Sequence, residues 1–478
     1  MFEQILFSTR LMLASLFLVT VSGNAWGSFE SGVYFPLVSG TTWAYRANGS
    51  FNFSTTVLAG TTTINGVATT AVQESVGLTN YYTNDSNGIR LHRQVDVSNG
   101  VTATFIPPVL LANASTDVAQ TANSSGTAST NLGDFFYSAS FTITGFETIA
   151  VPMGRFEVAR VDGTLVIAGL PSTLTIYLAQ NAGIVKSIET AAGSTDTFEL
   201  VSRTIAIACP TVSLQAAVDI GLPGEIITVT GACSENILIR NEKQRITVDG
   251  NGVAAIVGAS PSSPALNIRG KGILIQGMTI TGGGDGVVVN RGSNAVINTC
   301  IIQNTGGHGL VVNQLAFAVL TGNQIQNNPG IGILVSENST ARIGFNSDSD
   351  VFPSPNNIFS NGLGIAVMNG ASARIISNTV GFNGGNGVYV ARDSQTDIAS
   401  NNIFSNGENG IEVRENSFVQ LGEEAGSSIY QSPNGGSGNA GVGIKCVAGG
   451  GAGGRQGSLT GMAGETSFEA SCINDLSS

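Results

Sequence analysis

The sequence predicts an all-β protein in two parts, an antiparallel β-sheet domain over residues 28–205 and a parallel β-helix of three strands per coil over residues 206–478. Three observations lead there. A Gly-x-x-aliphatic tetrad returns at a fixed interval in the second half. Apolar and polar residues alternate with period two in the first half, and the composition suits strands and tight turns throughout. Of 478 residues 63 are Gly and only 11% are charged. With abundant Asn, Thr, Ser and β-branched residues, that balance favours strands over helices.

The first 27 residues read as an export signal, in which Arg10 precedes an apolar run from Leu11 to Val21 and the small residues Ala25 and Gly27 follow. The run is too short to remain as a membrane span. No Cys closes it, and later apolar residues alternate with Asn, Gly and Ser, so no membrane span is expected in the mature chain. A periplasmic or extracellular location follows. The net charge of −12 disfavours nucleic acid, whose phosphates are neutralised by clustered Lys and Arg. With only His92 and His308 in the chain, a His-rich metal site is not expected.

From Ser28 to Ile205, segments such as Phe51–Val67 and Ser140–Pro152 alternate in the strand pattern, broken by Asn-Gly and Asn-Asp turns. Such hairpins imply an antiparallel sheet with one wet face. Trp43 and Tyr45, two residues apart, read as core aromatics, with a ligand cleft as the alternative. The stretches Tyr34–Tyr45, Val151–Val158, Ala182–Lys186 and Phe198–Ser202 resemble a β-rich module of exported bacterial proteins, a resemblance that implies no activity.

The tetrad stands at Gly286, Gly309, Gly332, Gly364, Gly387 and Gly410. The interval is 23 residues throughout except for 32 between Gly332 and Gly364, where a loop containing Asn346–Pro355 is inserted. One and three residues after each glycine the chain is aliphatic, as in Val287/Val289 and Ile333/Val335. A second inward pair follows, as in Ala341/Ile343 and Ala373/Ile375, and a third strand carries Ile302, Ile325, Ile358, Val380 and Ile403. Three short alternating strands per period make coils that stack at the strand spacing of ~4.8 Å.

Asn323, Asn378 and Asn401 share one column, where stacked amides satisfy a tight turn, and Cys300 falls in the same column as a buried structural thiol. Thr211–Gly221 carries Leu214, Ala217 and Val218 at helical spacing and reads as a helical cap over the open end of the stack. Coils are expected from about Ile226 to Ile444. Cys209 and Cys233 flank the first cap and Cys446 and Cys472 bracket the last residues, so two terminal disulfides are expected in an oxidising compartment, with Cys300 left free.

The Leu214–Val218 cap, the Pro223–Val229 strand, Glu235–Ile239 and the Asn401–Ile411 repeat give this half a resemblance to the pectin-lyase-like right-handed parallel β-helix proteins. It is similar to their carbohydrate-binding or NosD-like repeat members more than to the pectinases. The resemblance implies uronic-acid polysaccharides cut by hydrolysis, elimination or epimerisation. Hydrolysis needs paired carboxylates, yet no two aspartates are adjacent, and Gly306–Gly309 with His308 aligns with turns of other repeats.

Elimination needs a neutraliser for the uronate and an Arg or Lys base. Ten residues after the glycines stand Val296, Val319, Arg342, Arg374, Asp397 and Gln420, and five after them Arg291, Gln314, Glu337, Asn369, Arg392 and Glu415. Tyr389 and Glu412 lie between the inward pairs, with Asp393 and Arg414 near the turn.

Glu337, Arg342, Arg374, Tyr389, Arg392, Asp393, Asp397, Glu412 and Arg414 are therefore the candidate glycan-binding face, against the plainer reading of a solvated surface. The face begins where outward Val288, Val296, Val311 and Val319 give way to ionisable or aromatic residues. Asp348 and Asp350 in the inserted loop offer oxygen ligands of the kind Ca²⁺ takes, or are solvated carboxylates, and no other cofactor is implied.

The function expected is noncatalytic carbohydrate binding or cell-surface interaction, with a polysaccharide or cell-envelope glycan as partner. A lyase, hydrolase or epimerase is the alternative, and a structural spacer the second.

Overall fold

The structure, a computed structural model, describes residues 29–346, 353–422 and 432–477. They fall into two compact units, one running to Ala206 and including Leu222–Ile226, the other holding Ile207–Gly221 and everything from Ile227 onward. The expected export signal lies outside the described residues. No helix among the described residues is long and apolar enough to cross a membrane.

The first unit is antiparallel, and its pairing closes. Thr42–Ala47 pairs on one side with Phe51–Val57 and on the other with Ser194–Ala208, and successive hairpins link the two. The expected sheet with one wet face is thus a closed one, whose inward side chains meet each other across a shared interior. Tight turns such as Asn65-Gly66, both at positive φ, reverse the chain.

Trp43 and Tyr45 belong to the core: Trp43 Nε1 donates to the Ala182 carbonyl at 2.5 Å and the Tyr45 hydroxyl to that of Ile184 at 2.9 Å. The same unit buries an ion pair, Arg203 Nη1 with Glu225 Oε1 at 3.1 Å, with side chains 1% and 0% exposed. Burial pulls the Arg203 guanidinium below its usual pKa, an effect that Glu225 opposes.

The second unit is a right-handed parallel β-helix. It opens with a helix at Leu214–Ile220, whose N-cap Ser213 accepts from Ala216 N and whose buried residues are Leu214, Ala217 and Val218. The first strands of the coils form a ten-stranded parallel sheet from Ile237–Ile239 to Thr466–Phe468. Second and third strands stack likewise. The inward pairs, among them Val287/Val289 and Ile333/Val335, are fully buried. Stacking does not stop at Ile444: Gly451–Arg455, Ser458–Gly461, Thr466–Phe468 and Ile473–Ser477 continue in parallel register. Glycines at 451, 453 and 454 obscure the alternation that marks the earlier strands.

At the turn from second to third strand, Asn323, Asn356, Asn378, Asn401 and Asn434 form a ladder. Each Oδ1 accepts the backbone N–H of the Asn one coil earlier, at 2.8–3.1 Å. Cys300 heads it, its N–H donating to Asn323 Oδ1 at 2.9 Å, and its thiol is 1% exposed. A second ladder of Asn328, Asn361, Asn383, Asn406 and Asn439 serves the turn after the third strand in the same way. His308 belongs to that turn region too, its Nδ1 accepting from Ile331 N at 2.9 Å. Disulfides join Cys209 to Cys233 and Cys446 to Cys472, and Cys300 is free.

Candidate functional site

Alternation along a strand sends every second residue outward, and parallel register lines those residues into columns along the stack. On the second strands one column reads Leu274, Val296, Val319, Arg342, Arg374, Asp397. On the first strands another reads Ala366, Tyr389, Glu412, Lys445. The residues expected to share one face therefore occupy two sheets, because a turn separates Tyr389 from Asp397 within a single coil.

Arg342, Arg374 and Asp397 stay together on the second-strand sheet, while Tyr389 and Glu412 belong to the first-strand sheet. Glu337, Arg392, Asp393 and Arg414 lie at the turns between the two, the first three with positive φ. Asp348 and Asp350 lie outside the described residues.

Outward does not mean exposed in the early coils. Val288, Val311 and Val319 are buried, because a short branched side chain at the ~4.8 Å strand spacing is shaded by its column neighbours.

The second-strand column borders an open groove of about 530 Å³, within the size range of ligand sites. Leu274, Val296 and the ring of Phe317, 37% exposed, give it apolar surface; Asn346 and Ser354, both of the inserted loop, also line it. Its polar side chains are held in place. Gln276 donates to Asp249 at 2.7 Å, Asn298 Oδ1 accepts from the Thr321 hydroxyl at 3.1 Å, and Asn294 Oδ1 accepts from Gly272 N. Those two bonds engage the carbonyl oxygens of Asn294 and Asn298 and not their NH₂ groups, which are donors.

Farther along the column the guanidinium carbons of Arg342 and Arg374 lie 5.6 and 5.5 Å from the centre of the buried Phe345 ring, a cation–π contact that holds both groups over one ring. Arg342 also donates to the Asn346 carbonyl at 3.0 Å, and Arg374 Nε lies 3.9 Å from Asp397 Oδ2.

The first-strand cluster is a separate network. Glu412, its side chain 8% exposed, accepts from Asn409 at 3.0 Å and stands 3.6 Å from Arg414 and 3.8 Å from Lys445. Glu415 bridges Arg414 and Arg392 at 3.2 and 3.4 Å. Burial raises the Tyr389 hydroxyl pKa, and Arg414 partly offsets that. A carboxylate held between two cations serves to orient those cations.

The sequence reading missed the groove, Phe345 and the second Asn ladder. The ladder had a signal, the second Asn of the Asn-x-Ile-x-x-Asn repeat. Phe345 had none beyond being aromatic two residues past an inward position.

Residues 226–348 match a family model described as the right handed beta helix region. No curated protein matches the chain. Among solved structures, similarity extends to pectate lyase Pel9A, with 14% identity and TM-score 0.38 over 57% of this chain and 78% of that one. It extends also to the A-module of the Azotobacter vinelandii mannuronan C-5 epimerase AlgE4, with 14% identity and TM-score 0.32 over 55% and 90%. An alginate lyase from Paenibacillus sp. str. FPU-7 shares 15% identity at TM-score 0.31 over 56% and 99%. No site residue is carried over from them.

Proposed function

We propose that this is an exported protein whose β-helix binds a polysaccharide along the second-strand sheet without cleaving it, the groove taking uncharged rings and the arginines meeting carboxylates. One observation carries the reading. The groove and the Arg342–Arg374–Asp397 ridge share a single outward column that runs along the stack, so an extended ligand would meet apolar surface, amide donors and guanidinium groups in turn. Arginine suits the last role, since its planar fork pairs with a carboxylate through two parallel hydrogen bonds. The two disulfides fit an oxidising compartment and so support export.

The test is a glycan array on the full chain, followed by reducing-end and unsaturated-product assays on whatever is bound. Binding of an acidic polysaccharide with no new ends is the expected outcome. Release of unsaturated or reducing products would replace this reading with an enzymatic one, and no glycan retained would overturn it.

A further inference from the structure

The third strands carry a second kind of surface. In the three coils whose second strands present Arg342, Arg374 and Asp397, the third strands present no charge. One outward column there reads Asn357, Thr379, Asn402, and the next reads Phe359, Gly381, Phe404.

In these three coils and the two before them, the residue after the third strand is left-handed. Asn304, Asn327, Ser360, Phe382 and Ser405 all have φ between 51° and 57°. Asn and Ser are at home in such a turn, Asn most of all, whereas a bulky aromatic at positive φ is an outlier. Phe382 breaks the column, and its ring is 61% exposed. Both the backbone and the exposed ring disfavour Phe here on stability grounds.

What surrounds Phe382 gives that cost a purpose. Its ring meets the half-buried Phe404 edge to face, centroids 5.2 Å apart at 84°. The Phe404 ring in turn has room because residue 381 is glycine: a Cβ there would stand 2.9 Å from Phe404 Cζ. Two aromatic rings are thus held in a fixed mutual orientation beside a row of amide and hydroxyl side chains.

We infer that the Phe382–Phe404 pair is a binding platform for a neutral saccharide chain, distinct from the second-strand groove. A pyranose ring offers a C–H face to an aromatic ring and hydroxyls at its rim, and the Asn357–Thr379–Asn402 row supplies partners for that rim. The uncharged surroundings decide the class of sugar. A uronate bound here would lose water from its carboxylate with no cation in these columns to replace it, whereas an uncharged glycan has no such charge to desolvate.

The experiment is affinity electrophoresis of the full chain in gels containing xyloglucan, galactomannan, hydroxyethyl cellulose or dextran, with polygalacturonate and alginate as acidic counterparts. The unchanged protein should be retarded by at least one neutral polysaccharide. Phe382→Asn, which installs the residue found elsewhere in its column, should weaken that retardation roughly three- to tenfold while leaving the melting temperature equal or higher. Phe404→Gln, matching Gln326 three coils earlier in its column, should weaken it similarly.

An Arg342→Ala/Arg374→Ala variant should keep neutral binding, which separates failure of this platform from failure of the acidic site. Retardation by no neutral glycan would overturn the inference, as would retardation unchanged in both Phe variants. A concentration-dependent dimer that Phe382→Asn dissolves would also overturn it, by assigning the rings to contact between two copies.

Discussion

Two regions of the β-helix solve the problem of polar groups differently. At the turns flanking the third strand, buried asparagines are tied in chains that recur coil after coil, each amide serving a fixed backbone partner. On the outward column of the second strands the residue type changes from Leu and Val to Arg, Arg and Asp within a few coils, and the ion pair there is long and half-exposed. The inner turns repeat because stacking leaves the backbone no alternative partner. The outer column is released from that demand, so its changes in character report on what the surface meets.

The same contrast ranks the consequences of mutation. Arg203→Ala in the N-terminal unit leaves Glu225 buried without its cation and should cost about 3–5 kcal/mol, measured by urea unfolding. Asn378→Ala removes both the acceptor for Asn356 N and the donor to the Ile343 carbonyl, and should cost about 2–4 kcal/mol, since each orphaned buried group costs about 1–3 kcal/mol. An effect below 0.5 kcal/mol would mean that the ladder does not hold the turns.

Cys300, at the head of the first ladder, shows the effect of burial on a titratable group. Burial pushes its thiol pKa up to about 12 from 9.0. A raised acid pKa means the folded chain keeps a proton that the unfolded chain loses, so this thiol's contribution to stability falls as pH rises from about 9 toward 12. Ellman's reagent should therefore label no thiol in the native protein at pH 8 and one after unfolding without reductant.

The smallest effect belongs to the outer column. Arg374→Ala and Asp397→Ala should each change stability by about 0–1 kcal/mol, visible as a melting shift of a few degrees at most.

The coil was legible in the sequence because a chain that circles one core must place aliphatic residues at the same phase in each turn. Val287/Val289 and Ile333/Val335 declare that phase without any structure. The cysteine pairs were legible for a related reason, since they bracket the ends of the stack. The candidate face was legible only as columns: period-two alternation says that Tyr389 and Asp397 both point outward, but not that a corner divides them between sheets. The last coil was hidden by the glycines at 451, 453 and 454. Phe382 was visible as an aromatic, yet its positive φ, which makes it unusual, belongs to the backbone and is not written in residue type.

Glycan binding through Arg342 and Arg374 on the outward second-strand column can be measured by isothermal titration of polygalacturonate and alginate oligosaccharides into the full chain and into the Arg342→Ala/Arg374→Ala variant. Affinity for at least one acidic oligosaccharide should fall about tenfold or more, in line with the loss of charge-assisted hydrogen bonds worth about 1.5–3 kcal/mol each, with the melting temperature nearly unchanged. Equal affinity in the two proteins would contradict binding through these two arginines.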